Sequence, residues 1–171
     1  MSLLKRLLGA RADDLSPYRA LWHRIVEVSR DPRWYREGGV VDSVVGRFDA
    51  VTLVLCAVLL RMERDEALIA PSARLTELFV SDMDSQLRES GVGDLVVGKR
   101  MGKLMGALGG RLGAYREGLA QDDAALGAAI ARNVTLREGA DPAVAAAMLR
   151  KLASSLAETD GDALLGGAMT L

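Results

Sequence analysis

The run of apolar residues from Ala50 to Leu60, AVTLVLCAVLL, constrains the fold of this chain more than any other feature. The helical pattern around it extends from about residue 42 to about residue 65, and after Asp49 almost no polar side chain interrupts it. A helix without a polar face is stable only when other elements cover it on all sides. The run is about half as long as the roughly 20 apolar residues that a bilayer-spanning helix needs. The sequence therefore predicts a buried central helix.

The rest of the chain predicts further helices around this centre. Half of the 171 residues are hydrophobic, only 4% are aromatic, and the helix-favouring Ala and Leu are common. A chain of this length can bury one core without disulfides or metals. We therefore predict an all-α, single-domain helical bundle of about six to seven helices. The predicted helices span residues 16–30, 42–65, 71–90, 98–118 and 122–137 and continue from 141, and residues 31–41 are predicted to form a connection.

Both chain ends differ from the predicted helical domain, which spans residues 16–160. Residues 1–15 place leucines on one helical face with basic side chains beside them, a pattern typical of a basic amphipathic segment. Residues 1–11 have two interpretations: a segment that lies on an anionic membrane surface, or an ordinary chain end that frays or packs onto the domain. The glycine-punctuated residues 161–171 are expected to form a mobile tail.

Charge and targeting signals restrict the expected partners and location. The net charge is −1 and the pI is about 5.9, which argues against nucleic-acid binding, so no DNA partner is predicted. The N-terminus lacks the sustained apolar stretch and the cleavage site of a secretory signal. We expect a cytoplasmic protein. If the N-terminal segment binds lipid, we expect the protein to associate peripherally with the cytoplasmic side of the inner membrane.

Few side chains in the sequence could carry out catalysis or bind a metal. Cys56, the single cysteine, lies in the apolar run and is expected to be an inert core residue. His23, the single histidine, has no partner that the sequence identifies. Asp82 and Asp84 do not share a helix face, whereas Asp84 and Arg88 are spaced for an ion pair. We therefore predict no catalytic residues, no metal, no cofactor and no enzymatic activity.

The segment from Asp82 to Tyr115 carries the most specific pattern. It places five glycines inside a helical period, and each glycine lowers helix stability by about 1 kcal/mol relative to Ala. The glycine stripe allows another backbone to approach closely, which is either the central helix or a partner helix that lies in a groove. At about 100° per residue, the helix has an apolar stripe of Met101, Leu104, Met105, Leu108, Leu112 and Tyr115, a glycine stripe of Gly102, Gly106, Gly109, Gly110 and Gly113, and a basic stripe of Lys99, Arg100, Lys103 and Arg111.

Three sequence runs resemble a known family. They are GRFDAVTLVL at 46–55, DMDSQLRESGVGDLVVGKRMGKLMGAL at 82–108 and GRLGAYREGL at 110–119. Together with WYREGGVVDSVVGRFD ahead of the central helix, they resemble the ubiquinol-cytochrome c chaperone family, bacterial relatives of a mitochondrial assembly factor for respiratory complex III. The chain departs from the family where Leu108 and Gly109 replace aromatic residues, and near Cys56, where members carry a His or a bulky residue.

The resemblance implies a helical, non-enzymatic assembly chaperone. Its client is newly made cytochrome b or another complex III subunit, and contact with the ribosome is a further expectation. Met83, Met101 and Met105 offer adaptable thioether surface for such a client, and Gly102 and Gly106 belong to the stripe that would receive it. The other residues implied as signature or contact residues are Trp34, Tyr35, Asp42, Gly46, Arg47, Phe48, Asp49, Asp82, Asp84, Arg88, Gly91, Gly93, Asp94, Gly98, Lys99, Gly110, Arg111 and Tyr115.

An alternative function from another class is also open. Gly98, Lys99 and Arg100 lie at a predicted helix N-terminus, where free backbone N–H groups attract anions. With Arg111, they predict a helical ligand-binding domain that holds an anionic or isoprenoid headgroup.

Overall fold

The computed structural model describes residues 15–89 and 94–171, so the predicted basic segment at the N-terminus lies almost wholly outside the described residues. Six of the helices within these ranges have eleven residues or more, and two have five. The prediction of an all-α bundle is confirmed. After a 3₁₀ turn at Ser16–Tyr18, the helices are α1 (Arg19–Ser29), α2 (Pro32–Arg36), α3 (Val44–Met62), α4 (Glu66–Glu89), α5 (Asp94–Ala120), α6 (Asp123–Asn133), α7 (Pro142–Glu158) and α8 (Gly161–Leu165).

Helix α3 is the predicted central helix. Every residue from Asp49 to Leu60 is buried, and α3 packs against α1, α4, α5 and α7. Of the two predicted caps, the structure uses Ser43, whose Oγ accepts a hydrogen bond from the Gly46 N–H at 3.1 Å. None of the helices in the described ranges has both the length and the apolar character needed to cross a membrane.

Helix α4 begins earlier than the sequence pattern indicates. The prediction that Pro71 starts this helix is wrong, because Pro71 lies inside α4. Asp65 caps the helix: its carboxylate accepts the Ala67 N–H at 3.1 Å, and its carbonyl accepts the Leu68 N–H at 2.9 Å. This cap and the acidic Glu66 stabilise the first turn. The helix therefore tolerates the loss of the one backbone hydrogen bond that Pro71 cannot donate.

The segment at 31–41 is more ordered than a plain connection, because Pro32–Arg36 forms α2. Asp31 starts α2 by accepting the Arg33 N–H at 2.9 Å, and Pro32 occupies the first turn, where its missing N–H loses nothing. Gly39 follows at φ 76°, a conformation that favours glycine.

Helix α6 ends at Asn133, and the prediction that it reaches residue 137 is wrong. At Val134 the chain becomes extended. The Val134 N–H still donates to the Ile130 carbonyl at 2.9 Å, but residues 135 and 137 bond with another part of the chain. Val41 N–H donates to the Thr135 carbonyl at 2.9 Å, and Arg137 N–H donates to the Gly39 carbonyl at 2.8 Å. Helix α5 also differs at its start, since Asp94 precedes the predicted first residue by one turn.

Residues 161–171 pack onto the body in the structure. Leu164 is fully buried and Met169 is 5% exposed. The Arg24 guanidinium donates to the Met169 carbonyl from Nε at 2.9 Å and from Nη2 at 2.7 Å. Gly167, at φ 90°, turns the chain back onto α1. These contacts favour an ordered tail over the mobile tail expected from the glycines.

Two arginines tie the ends of helices together. Arg61 of α3 donates to the Leu156 and Thr159 carbonyls at the end of α7, at 2.9 Å each. Arg150 of α7 donates to the Leu119 carbonyl at the end of α5 at 3.1 Å. Helix ends leave carbonyls without helical partners and carry partial negative charge, so cationic side chains stabilise them.

Candidate functional site

Two predicted site residues, Trp34 and Tyr35, anchor α2 to the end of α1. Trp34 is fully buried, and its indole N–H donates to the Val28 carbonyl at 3.1 Å. The Tyr35 hydroxyl donates to the Ser29 carbonyl at 3.0 Å, and burial is the main cause that raises the pKa of this phenol. Both side chains satisfy carbonyls at a helix end, which is a structural role.

Three predicted site residues lie near the start of α3 with different roles. Gly46 is buried, and a Cβ at this position would overlap the Val41 carbonyl oxygen, so only glycine fits. Asp42 and Arg47 form a surface ion pair with an Oδ1–Nε distance of 2.7 Å, and their side chains are 63% and 65% exposed. Ion pairs this exposed contribute little to stability.

Asp49 and Arg111 meet in a group that we call the polar junction, which also includes Thr135 at the surface. Asp49 Oδ1 accepts from Arg111 Nη2 at 2.6 Å, and Oδ2 accepts from the Thr135 N–H at 2.9 Å and the Thr135 hydroxyl at 2.7 Å. The Asp49 side chain is 4% exposed and that of Arg111 is 15% exposed. The junction joins α3, α5 and the extended segment after α6.

Phe48 joins the polar junction to an aromatic layer. The Arg111 guanidinium lies 5.5 Å from the centroid of the Phe48 ring, within the range of a cation–π interaction. The Phe48 ring is 6.4 Å from Phe79 of α4, and Phe79 is 5.9 Å from Trp22 of α1 in an edge-on arrangement. The side chains of Phe48, Asp49 and Arg111, all predicted site residues, are therefore part of the contact between helices.

The interior next to this junction holds polar atoms without partners. Arg111 Nη1 and the Tyr115 hydroxyl are buried and have no hydrogen-bond partner among the described residues. Burial raises the pKa of the Tyr115 phenol, and burial also raises the pKa of the neighbouring Cys56 thiol to about 12. A thiol that stays protonated is a poor nucleophile, in agreement with the prediction of an inert core cysteine.

The C-terminal part of α4 carries a second group of predicted residues at the surface. Asp84 and Arg88 form the predicted ion pair with a distance of 2.7 Å between Oδ2 and Nε. Asp82 accepts a weak hydrogen bond from the Gln86 amide at 3.4 Å. Met83 is partly buried and packs against the edge of the core. Gly91 and Gly93 lie outside the described residues, and Asp94, Gly98 and Met101 belong to the first half of α5.

Helix α5 has an uncovered side that we call the open face, formed by its glycine stripe. A Cβ placed at any of these glycines has no atom of a described residue within 4 Å. Met105 beside the stripe is 38% exposed, whereas Leu108 and Tyr115 on the other side are buried. The interpretation that the stripe packs against the central helix is therefore wrong. The open face consists of Gly102, Gly106, Gly109, Gly110 and Gly113.

The residues of the predicted anion site do not come together. Lys99 is exposed on the first half of α5, whereas Arg111 turns inward and binds Asp49. One surface depression of about 410 Å³ is lined by both acidic and basic side chains, and another measures about 200 Å³. In the described ranges, no group of His, Cys, Asp and Glu side chains is arranged to hold a metal ion.

Two residues with a clear structural role were missed by the sequence patterns. Thr135 is the second partner of Asp49, and it lies inside the helix predicted at 122–137 without any motif. Gly118 of α5 packs closely on α6, since a Cβ there would lie 2.9 Å from the Leu126 Cα. A buried acid that needs partners was a usable signal for the first. For Gly118 the signal was its place on the helix, about 120° around from Gly106 and outside the glycine stripe.

The described residues thus define a class of protein: an all-α bundle with a buried central helix and one long helix whose glycine face is open. Residues 36–171 match the family described as ubiquinol-cytochrome C chaperone. This match covers most of the chain, so the chain belongs to that family, and the resemblance found in the sequence is confirmed.

One solved structure resembles the whole chain. It is described as the crystal structure of the Cbp3 homolog from Brucella abortus, with 32% sequence identity and a TM-score of 0.79. The similarity covers 96% of this chain and 94% of that chain. No curated protein matches the chain.

Proposed function

We propose that this protein is a non-enzymatic assembly chaperone for ubiquinol-cytochrome c reductase, respiratory complex III. We further propose that the open face of α5 receives an apolar helix of its client, newly made cytochrome b or another subunit of the complex. Membership of the ubiquinol-cytochrome C chaperone family and the likeness to a Cbp3 homolog support the general role. The finer assignment depends on the chemistry of α5.

The observation that carries the proposal is the uncovered glycine stripe. Each glycine in an exposed helix lowers its stability by about 1 kcal/mol relative to alanine. Alanine would fit at all of these positions, since no described atom lies within 4 Å of a Cβ there. Glycines on one helix face let the backbone of a second helix approach closely, as in helix pairs within membranes. An apolar client segment is therefore a suitable occupant.

The methionines beside the stripe support an adaptable contact. Met105 is 38% exposed and Met83 is partly buried. Thioether side chains are flexible and polarizable, so they can cover apolar segments of different shape. A client with several transmembrane helices presents such segments before it is assembled.

The alternative, an anion-binding helical domain at Lys99, Arg100 and Arg111, has less support. Arg111 is already bound to Asp49 at 2.6 Å and stacks on Phe48. The cation that was expected to complete this site is therefore engaged in the fold.

To test the proposal, the full-length protein is used to capture cytochrome b from membranes of cells that are synthesising cytochrome b. Gly106→Leu adds a bulky side chain at the centre of the open face, and we expect several-fold less co-purified cytochrome b. The same variant is expected to unfold at an unchanged or higher temperature, because leucine is a better helix former than glycine.

Ala147→Leu is the matched control, because Ala147 is an exposed helical position on α7 and gains a comparable apolar side chain. Capture by this control is expected to equal that of the parent. Undiminished capture by Gly106→Leu contradicts the assignment of the open face, and capture of no complex III subunit by the parent contradicts the general role.

Membrane association belongs to the same proposal. Residues 1–11 combine leucines with Lys5, Arg6 and Arg11, and such segments bind anionic lipid surfaces. Deletion of residues 1–11 is expected to lower sedimentation with phosphatidylglycerol-containing vesicles and to leave binding to neutral vesicles unchanged. Equal binding by the deleted and intact proteins contradicts this anchor.

A further inference from the structure

The Arg111 guanidinium uses only part of its hydrogen-bonding capacity in the fold. Its Nη2 donates to Asp49 Oδ1 at 2.6 Å, and the group lies 5.5 Å from the centroid of the Phe48 ring. Its Nη1 is buried and has no hydrogen-bond partner among the described residues. A buried donor without an acceptor loses the hydrogen bonds that it made with water in the unfolded chain, so such groups are rare in folded proteins.

The Tyr115 hydroxyl is a second unpartnered group on the same side of α5. Tyr115 follows Arg111 by four residues, which places the two side chains one helical turn apart on one face. The Tyr115 side chain is fully buried, and its hydroxyl also has no hydrogen-bond partner among the described residues. Burial raises the pKa of this phenol, the nearby Cys56 adds to the shift, and the charge of Arg111 opposes it. The two unpartnered groups are therefore neighbours in the interior between α5 and α3.

The chemistry of these two groups restricts which ligand they can share. A guanidinium N–H only donates, whereas a phenol hydroxyl either donates or accepts, so the ligand has to accept a hydrogen bond from Arg111 Nη1. The Asp49 carboxylate already balances the charge of Arg111. An anion at this position would therefore be a buried charge without a counter-charge, which is strongly unfavourable. Neither Arg111 nor Tyr115 lines the two surface depressions, so the site favours a very small neutral molecule that both accepts and donates.

We propose that Arg111 Nη1 and the Tyr115 hydroxyl bind one internal water molecule between α5 and α3. Buried waters typically make about three hydrogen bonds to polar groups that have no partner within the protein. The buried Cys56 of α3 lies near Tyr115, and its thiol offers a third, weaker bond. The water holds the guanidinium from a second side and so keeps Arg111 in the orientation that reaches Asp49 and Phe48. This site is a property of the free protein and is independent of the proposed client.

A crystal structure of the full-length protein that resolves ordered water tests the site directly. We expect one electron-density peak at hydrogen-bond distance, about 2.7–3.2 Å, from both Arg111 Nη1 and the Tyr115 hydroxyl oxygen. Crystals soaked in sodium bromide are expected to give no anomalous signal at this position. A clear map without the peak overturns the proposal. A bromide signal at the peak also overturns it, because bromide marks an anion site.

Tyr115→Phe tests the site in solution, because this substitution removes only the hydroxyl. If the hydroxyl binds the water, its loss leaves both the water and Arg111 with fewer partners. We then expect an equilibrium constant for folding about fivefold smaller than that of the parent in urea denaturation, the usual result of losing one buried hydrogen bond. A hydroxyl that has no partner at all would give an unchanged or larger constant on removal, and that result overturns the proposal.

Tyr18→Phe is the matched control. The Tyr18 side chain is partly exposed, and its hydroxyl forms no hydrogen bond with a described residue. The control is therefore expected to have the same folding equilibrium constant as the parent. Equal decreases in the two variants contradict the water site, because the effect would then follow from the loss of any tyrosine hydroxyl.

Discussion

Asp49 and Asp84 carry the same functional group in different environments. Both were predicted as signature residues, and both pair with an arginine. Asp49 is almost completely buried and accepts hydrogen bonds from three donors in two other parts of the chain. Asp84 is at the surface and pairs within its own helix. At the scale of single residues, burial therefore makes the ion pair of Asp49, and not that of Asp84, important for the stability of the fold.

Asp49→Ala is expected to lower the free energy of unfolding by about 3–5 kcal/mol, the usual result of removing one partner from a buried ion pair. The substitution leaves Arg111, whose side chain is 15% exposed, without its counter-charge and removes the carboxylate that accepts both Thr135 donors. Urea denaturation measures the change in the free energy of unfolding, provided that the variant and the parent have the same m-value.

Asp84→Ala is the control and is expected to change stability by less than about 1 kcal/mol, because exposed ion pairs contribute little. If the two substitutions lowered the free energy of unfolding equally, burial would not explain the importance of Asp49.

The dependence of stability on pH tests the buried Cys56. Its pKa rises from 9.0 to about 12 on folding, so the folded protein keeps the proton at pH values where the unfolded chain releases it. The resulting stabilisation is complete below pH 9 and is lost as the pH rises toward 12, by up to about 1.4 kcal/mol per pH unit. Tyr115, whose pKa is also raised by burial, adds to the loss above pH 10.

Urea denaturation between pH 9 and 10 isolates the thiol, because tyrosine and lysine titrate mostly above this range. Cys56→Ala is expected to flatten the decline of stability with pH in this window. The same slope in the parent and in Cys56→Ala would show that the thiol is not responsible.

At the scale of elements, α5 contains glycines of two kinds. A Cβ at Gly106 would have no atom of a described residue within 4 Å, whereas Gly118 allows the backbone of α6 to pack at close range. They lie about 120° apart around the helix, so the sequence assigns them to different faces but does not show which face another helix covers. The neighbouring element decides what each glycine does.

Substitution by alanine is expected to have opposite effects at these positions. Gly106→Ala should raise the free energy of unfolding by about 0.5–1 kcal/mol, because alanine has less backbone entropy to lose. Gly118→Ala should lower it by roughly 1–2 kcal/mol, because its Cβ would lie 2.9 Å from the Leu126 Cα. Thermal unfolding, monitored by circular dichroism, measures the stability of both variants. Stability changes of the same sign would contradict the assignment of Gly106 to an open face and Gly118 to a helix contact.

At the scale of the whole molecule, distant parts of the chain close the bundle. Arg24 of α1 holds the carbonyl of Met169, and Arg61 of α3 holds carbonyls at the end of α7. The extended segment at 134–137 bonds with 39–41 across the body. These contacts join the first helices to the last ones.

Deletion of residues 161–171 is therefore expected to destabilise the protein by about 3–6 kcal/mol, since it removes two buried apolar side chains, Leu164 and Met169. Chemical denaturation of the shortened chain measures the loss. Thr170→Ala, at an exposed position of the same segment, is expected to be neutral. Unchanged stability after the deletion would support the mobile tail expected from the glycines.

The sequence by itself determined the features that depend on local patterning. Helical periodicity located the six long helices, and the lack of a polar face after Asp49 identified α3 as the central helix. The motifs between Trp34 and Leu119 identified the family. These properties depend on residues near one another in the chain, so a sequence pattern is sufficient to predict them.

Only the tertiary structure decided what the individual site residues do. In the structure, Arg111 binds Asp49 instead of belonging to a basic stripe, and Thr135 donates to the same carboxylate. No other part of the chain that the structure describes covers the glycine stripe of α5. It also packed the C-terminal residues that local composition marked as mobile. The physical reason is that burial, ion pairing and close backbone approach depend on which distant elements become neighbours, and helical periodicity carries no information about those neighbours.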